Sequence, residues 1–100
     1  MASGTIQNIP VVKYHDTGSM KLNNLSWTAT TSGKYAAPVN VSGISGRIIS
    51  VCINGISRLK TTDIIIPYIT GQTSVSLMAN TSSFDSAGNG AQISLMIVYI

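Results

Sequence analysis

The sequence predicts an all-β fold: an antiparallel sandwich of two sheets, jelly-roll-like, with about eight strands. No window of ~12 residues repeats apolar side chains at helical spacing, and strong helix formers are sparse. Runs rich in Val, Ile, Thr and Tyr instead alternate with Gly, Asn, Ser and Pro, which favour turns. An immunoglobulin-like sandwich is the competing fold, but a single cysteine cannot supply the paired cysteines of that fold.

The expected strands cover most of the chain after its first residues. They lie near residues 10–15, 25–30, 35–41, 47–53, 56–60, 64–70, 74–79 and 92–100. Between the last two runs, residues 80–90 form the longest polar stretch. We therefore assign residues 25–100 to a β-sandwich head domain and residues 1–24 to an N-terminal lead-in or attachment segment.

Asn54-Gly55 is the clearest turn signal in the middle of the chain. Both central residues of a type I′ turn need positive φ, which Asn tolerates and Gly favours. The pair therefore predicts a two-residue hairpin in which Ile53 faces Ile56, and Val51 faces Arg58.

The next two runs differ in the position that they predict within a sheet. Pro67 has no N–H for a ladder, so residues 64–70 should form an edge strand or carry a bulge. Residues 74–79 alternate cleanly, which predicts Val75, Leu77 and Ala79 inside and the serines outside. Met78 is the apolar exception on the outer face.

The last strand is apolar on both of its faces. Alternation divides it into Ile93, Leu95, Ile97 and Tyr99 on one face and Met96, Val98 and Ile100 on the other. A domain of 100 residues has one core, which covers one face. We therefore predict that Met96, Val98 and Ile100 form an oligomer interface.

The composition offers few side chains that could carry out catalysis: one histidine, one cysteine, three aspartates and no glutamate. His15 and Asp16 are adjacent at the end of a predicted strand, so their side chains should point to opposite faces. Cys52 lies between Val51 and Ile53, which predicts a buried thiol. The polar segment 85–89 lacks the dense carboxylates of a calcium loop. We expect no enzymatic activity, no metal site and no cofactor.

Charge and hydropathy also limit the partners. The net charge of +3 comes from scattered residues without a basic run, so we expect no nucleic-acid binding. No apolar run approaches the ~18 residues of a membrane span, so we expect no membrane insertion. The N-terminus lacks the basic start and apolar stretch of a signal peptide, which predicts synthesis in a cytoplasm.

Saccharide binding is better supplied, because aromatic rings stack on sugars while polar side chains bond the hydroxyl groups. The candidate residues are aromatic or polar and lie near predicted loops: Trp27, Tyr35, Asp63, Tyr68, Asn80, Phe84 and Asp85. Trp27 can instead be a core anchor. Phe84 can be an exposed ring or a plug for one end of the sandwich.

The chain resembles the C-terminal head or tip domains of bacteriophage and prophage tail-fibre and receptor-binding proteins. The likeness covers residues 25–100 and is carried by short motifs: Trp27 followed by Gly33-Lys34-Tyr35, then Gly46-Arg47-Ile48-Ile49-Ser50-Val51, Ser74-Val75-Ser76-Leu77, Phe84 and the closing segment 92–99. The N-terminal part departs from the family because it has no heptads, collagen-like repeats or shaft. Either the head is isolated, or residues 6–12 make the attachment.

The resemblance implies a homotrimer packed around a threefold axis, located in the virion tail or baseplate. Its partners would be its own copies, other phage tail proteins and a bacterial surface glycan or protein receptor. The alternatives are a monomeric carbohydrate-binding module or lectin, a purely architectural virion subunit, and a hydrolase fragment.

Overall fold

The structure, a computed structural model, describes residues 11–84 and 90–100 as two packed antiparallel sheets. The strands are β1 (Lys13–Asp16), β2 (Met20–Lys21), β3 (Thr28–Thr31), β4 (Lys34–Val39), β5 (Ile48–Ser57), β6 (Ile65–Gly71), β7 (Ser74–Ala79) and β8 (Gln92–Tyr99). A 3₁₀ turn, Leu22–Asn24, joins β2 to the next strand. The predicted all-β sandwich of about eight strands is confirmed.

The strand order places the last strand at the centre of one sheet. In sheet A, β8 pairs with β5 along one edge and with β1 and β2 along the other. Sheet B has the order β3-β4-β7-β6. The chain passes between the sheets after β2, β4, β5 and β7, so that strands near the two ends of the chain become neighbours. This path is jelly-roll-like, with hairpins β3-β4 and β6-β7 kept within one sheet.

Residues 13–22 belong to the sandwich, which moves its start from the predicted Leu25 to Lys13. β1 and β2 form a nearly continuous edge beside β8, interrupted at Gly18, whose φ is 72°. The Asp16 Oδ1 accepts a hydrogen bond from the Gly18 N–H at 2.9 Å and fixes this break. Leu22, directly after β2, is fully buried in the core. Residues 1–10, which include residues 6–10 of the predicted attachment at 6–12, lie outside the described residues.

The predicted hairpin at Asn54-Gly55 is wrong. β5 runs straight through both residues and pairs with β8 from Ile48 to Ser57. Asn54 is the extra residue of a bulge, and its side chain donates to Asp16 Oδ2 at 3.4 Å. The long apolar partner β8 offers more ladder bonds and burial than a local turn, so pairing overrides turn propensity. The chain reverses further on, where Arg58 has a φ of 62°.

The edge position predicted for β6 and the inward face predicted for β7 are confirmed, whereas Ser76, predicted to lie outside, is buried. β6, which contains Pro67, is an edge strand of sheet B. In β7 the side chains of Val75, Leu77 and Ala79 are buried, and Met78 lies on the outer face.

The hydrophobic core lies between the two sheets. Its buried members come from both sheets and from the connections: Leu22, Val39, Ile48, Val75, Leu77, Ala79, Phe84, Ala91, Ile93, Leu95 and Ile97. Burying a single Leu, Ile or Phe side chain contributes roughly 1.5–3 kcal/mol relative to leaving it in water. The inner face of β8 therefore supplies a large part of the stability of the fold.

Candidate functional site

The two aromatic candidates at the end of the sandwich pack against each other. The ring centroids of Trp27 and Phe84 are 5.0 Å apart with an interplanar angle of 42°. The Trp27 Nε1–H donates to the Leu22 carbonyl oxygen at 2.8 Å, which holds the indole over the core. Phe84 is only 1% exposed. A ring buried in this way cannot stack on a sugar, so Phe84 is the plug of the sandwich end and Trp27 its half-buried core anchor.

Asn23 fixes this plug with its side chain. Its Oδ1 accepts from the Phe84 N–H at 2.8 Å, and its Nδ2 donates to the Phe84 carbonyl oxygen at 3.3 Å. The amide thus pairs with the backbone of Phe84 as a neighbouring strand would. Asp85, another predicted ligand-binding residue, lies outside the described residues, as does the rest of segment 85–89.

Asn80 has a structural role that its sequence position did not reveal. Its Oδ1 accepts from the Ile64 N–H and its Nδ2 donates to the Thr62 carbonyl oxygen, both at 2.9 Å. The side chain therefore ties the end of β7 to the loop before β6. Asp63, within that loop, is half-buried, and its N–H donates to the Lys60 carbonyl oxygen at 3.1 Å.

The remaining aromatic candidates lie on opposite faces of sheet B. Tyr35 is paired with Ala79, whose side chain is buried, so its ring belongs to the inner side. Tyr68 is paired with Ser76 on the outer side, two positions from Ile66. The described members of the predicted saccharide-binding set consequently do not form one site.

The outer side of sheet A carries an apolar surface, which we call the A face. Its members share the outward register of β1, β5 and β8: Tyr14, Asp16, Ser50, Cys52, Met96, Val98 and Ile100. Met96, Val98 and Ile100 are half-buried within the single chain, whereas Tyr14 is 69% exposed. Cys52 is exposed, because it pairs with Met96 and faces away from the core, so the prediction of a buried thiol is wrong.

Sheet B also has apolar residues on its outer side, and sequence reasoning missed most of them. This B face consists of Ala36, Pro38, Ile66, Tyr68, Ser76 and Met78, with Ile64 and Lys34 at its margin. Ile64 and Ile66 are 58% and 53% exposed. Two features of the sequence could have indicated this face: Met78 on the outward side of its strand, and the apolar run Ile64-Ile65-Ile66.

The side chains that could support catalysis do not converge in the described part of the chain. His15 pairs with Ile97 on the core side of sheet A, while Cys52 pairs with Met96 on the outer side. Among residues 11–84 and 90–100, no three His, Cys, Asp or Glu side chains cluster as metal ligands would. The same residues contain no helix long and apolar enough to cross a membrane.

The chain matches no protein-family model, no curated protein and no solved structure.

Proposed function

We propose that this protein is an assembling, non-catalytic head domain that binds a saccharide receptor on a bacterial surface. In this proposal it is the tip of a phage or prophage tail structure, and the virion carries it as a homotrimer. The observation that carries the proposal is the A face, where apolar side chains of the central strand lie on the side of the sheet away from the core.

The A face supports self-association because of its position and composition. Val98 lies between Tyr14 on one neighbouring strand and Ser50 on the other, and Met96 lies between Asp16 and Cys52. The centre of this surface is thus formed by apolar side chains of β8, while its polar and titratable groups lie on the flanking strands. Contact surfaces of permanent oligomers have this distribution, with an apolar centre and a more polar rim.

A cyclic arrangement explains why the apolar strand is central in its sheet. Three copies that turn their A faces toward one axis would bury β8 of each copy against its neighbours. The loops and polar edges would then remain available on the outside for a receptor. The low share of charged residues, 9% of the chain, agrees with an exterior that bonds sugar hydroxyls through Ser, Thr and Asn.

Solution mass tests the assembly. We expect the wild-type protein to be a trimer at micromolar concentration and Val98→Asp to be a folded monomer, because the new carboxylate would lie at the apolar centre of the contact. Thr30→Asp is the matched control, since it places the same charge on an exposed strand away from the A face. A wild-type monomer at this concentration would contradict the assembly.

The single cysteine gives a second measurement without a substitution. Cys52 is exposed on the A face of one chain, so a thiol reagent should label it quickly in a monomer and slowly in the assembly. Labelling should accelerate on dilution in the wild type and be fast at every concentration in Val98→Asp. Equal rates at all concentrations in the wild type would count against the contact.

A glycan array tests the receptor. Binding without cleavage by the trimer is the expected result. A monomer that binds glycans would be a carbohydrate-binding module instead, and an assembly that binds none would be an architectural virion subunit.

A further inference from the structure

A groove lies at one end of sheet A, where β1 and β5 begin and β8 ends. Its volume is ≈ 510 Å³. The lining comes from four segments of the chain: Val11, Lys13, Gly46, Arg47, Gln72 and Ile100. None of these residues belongs to the predicted saccharide-binding set, and the groove is separate from the Trp27–Phe84 plug.

Backbone contacts hold these segments in place. Arg47 and Ile100 exchange two hydrogen bonds, from N–H to carbonyl oxygen, of 3.0 and 2.9 Å. The Ile48 N–H donates to the Gln72 carbonyl oxygen at 2.8 Å, which ties the β6–β7 turn to the start of β5. Gly46 has a φ of 93°, and a Cβ there would overlap the Ile100 carbonyl oxygen, so glycine is required. The lining at Gly46, Arg47, Gln72 and Ile100 is therefore held in place by the fold.

The groove is positively charged. Lys13 and Arg47 are both exposed and line it, and the Lys13 Nζ lies 5.9 Å from the centroid of the Tyr99 ring. Neither described aspartate, Asp16 or Asp63, lines the groove. Within residues 11–84 and 90–100, neither Lys13 nor Arg47 makes an ion pair with an aspartate.

From this geometry we infer that the groove binds the anionic group of an acidic surface saccharide. This inference rests on the proposed receptor-binding function. An arginine guanidinium offers a planar fork for a carboxylate or phosphate, and a lysine adds a second point charge. The Gln72 amide can bond neighbouring hydroxyl groups, while Val11 offers an apolar wall for the C–H face of a sugar ring. The ligand class is a saccharide chain that carries carboxylate or phosphate groups.

Calorimetric titration with three oligomers of equal length tests this inference. The probes are an oligogalacturonate, an oligomer of glycerol phosphate and a neutral oligomer of glucose. We expect the wild type to bind at least one acidic oligomer more tightly than the neutral one, with an affinity that falls as salt is added. The two acidic probes distinguish carboxylate from phosphate recognition.

Charge removal locates the site. Lys13→Gln and Arg47→Gln should each weaken acidic-oligomer binding about fivefold, as expected for loss of one exposed charge contact. Lys34→Gln and Lys60→Gln remove the same charges from exposed positions outside the groove and should leave the affinity unchanged. The solution mass of each variant is measured in parallel.

The outcomes separate this inference from the proposed function. If the double variant Lys13→Gln/Arg47→Gln binds acidic oligomers as well as the wild type does, the groove assignment is overturned while receptor binding stands. The same conclusion follows if only the neutral oligomer binds. Absence of any acidic-oligomer binding at low salt also overturns the groove assignment. A wild-type monomer would contradict the trimer without affecting the titration.

Discussion

The two faces of β8 have similar hydrophobicity, yet they are covered in different ways. Ile93, Leu95 and Ile97 on the inner face are fully buried by sheet B of the same chain. Met96 and Val98 on the outer face are only half-buried by their neighbours in sheet A. The inner face of β8 is therefore buried when the single chain folds. The outer face, in our proposal, is buried when copies of the chain assemble. Substitutions at adjacent positions can separate them.

Ile97→Asp should have the largest effect. Ile97 is 0% exposed, so the substitution places an unpaired carboxylate in the core and removes a large apolar side chain. The cost should exceed roughly 5 kcal/mol, which is comparable to the whole stability of a small domain. Circular dichroism and amide NMR dispersion should show an unfolded chain at 25 °C.

Ile97→Val is the control for this position, with an expected cost of about 0.5–1.5 kcal/mol and a retained fold. A soluble, folded Ile97→Asp protein would mean that the inner face of β8 is not the core of the sandwich.

Phe84→Ala tests whether the plug at the sandwich end belongs to the same cooperative core. The substitution removes the ring that packs against Trp27 and should cost about 3–5 kcal/mol in the free energy of unfolding, measured by urea titration. Phe84→Leu keeps most of the volume and should cost less. A change below about 1 kcal/mol for Phe84→Ala would indicate that the plug opens independently of the sheets.

Asn23→Ala should have an intermediate effect. It removes both side-chain hydrogen bonds to the Phe84 backbone and leaves that part-buried N–H and carbonyl without these partners. The expected loss is about 1–3 kcal/mol. Asn24→Ala is the matched control, because Asn24 is exposed and its side chain makes no hydrogen bond among the described residues. Equal stabilities of the two variants would contradict the role of Asn23.

The parts of the fold that sequence could predict are those set by periodicity. Strict alternation placed Val75 and Leu77 inside, and Pro67 placed β6 at an edge, because each constraint acts within one strand. The hairpin at Asn54-Gly55 failed since its competitor, the pairing with β8, comes from residues about forty positions away. Local turn propensity cannot show that a better partner exists elsewhere in the chain.

The candidate site was less predictable for a related reason. Phe84 and Asn80 lie in polar stretches of the sequence, which suggested that their side chains could bind a ligand. In the structure, Asn23 bonds the Phe84 backbone and Asn80 bonds the loop before β6, and both contacts join residues that are distant in sequence. The groove of Lys13 and Arg47 depends on four segments brought together by the sheet register, and the two bases are far apart in the sequence. The sequence shows that the charged residues are scattered along the chain. It does not show which of them the fold brings together.

Val98→Thr should have the smallest effect on the single chain and separates the two faces of β8 most cleanly. Threonine keeps the β-branched shape and the strand propensity of valine while it reduces the hydrophobicity of the A face. Since Val98 is only half-buried, unfolding of the monomer at nanomolar concentration should change by about 0.5 kcal/mol or less. At micromolar concentration the wild type should gain stability from assembly by mass action, and Val98→Thr should gain less.

The matched Ile97→Thr variant should instead lose stability equally at both concentrations, because the side chains that contact Ile97 lie within its own chain. If Val98→Thr and the wild type respond identically to concentration, the outer face of β8 does not mediate a contact between copies.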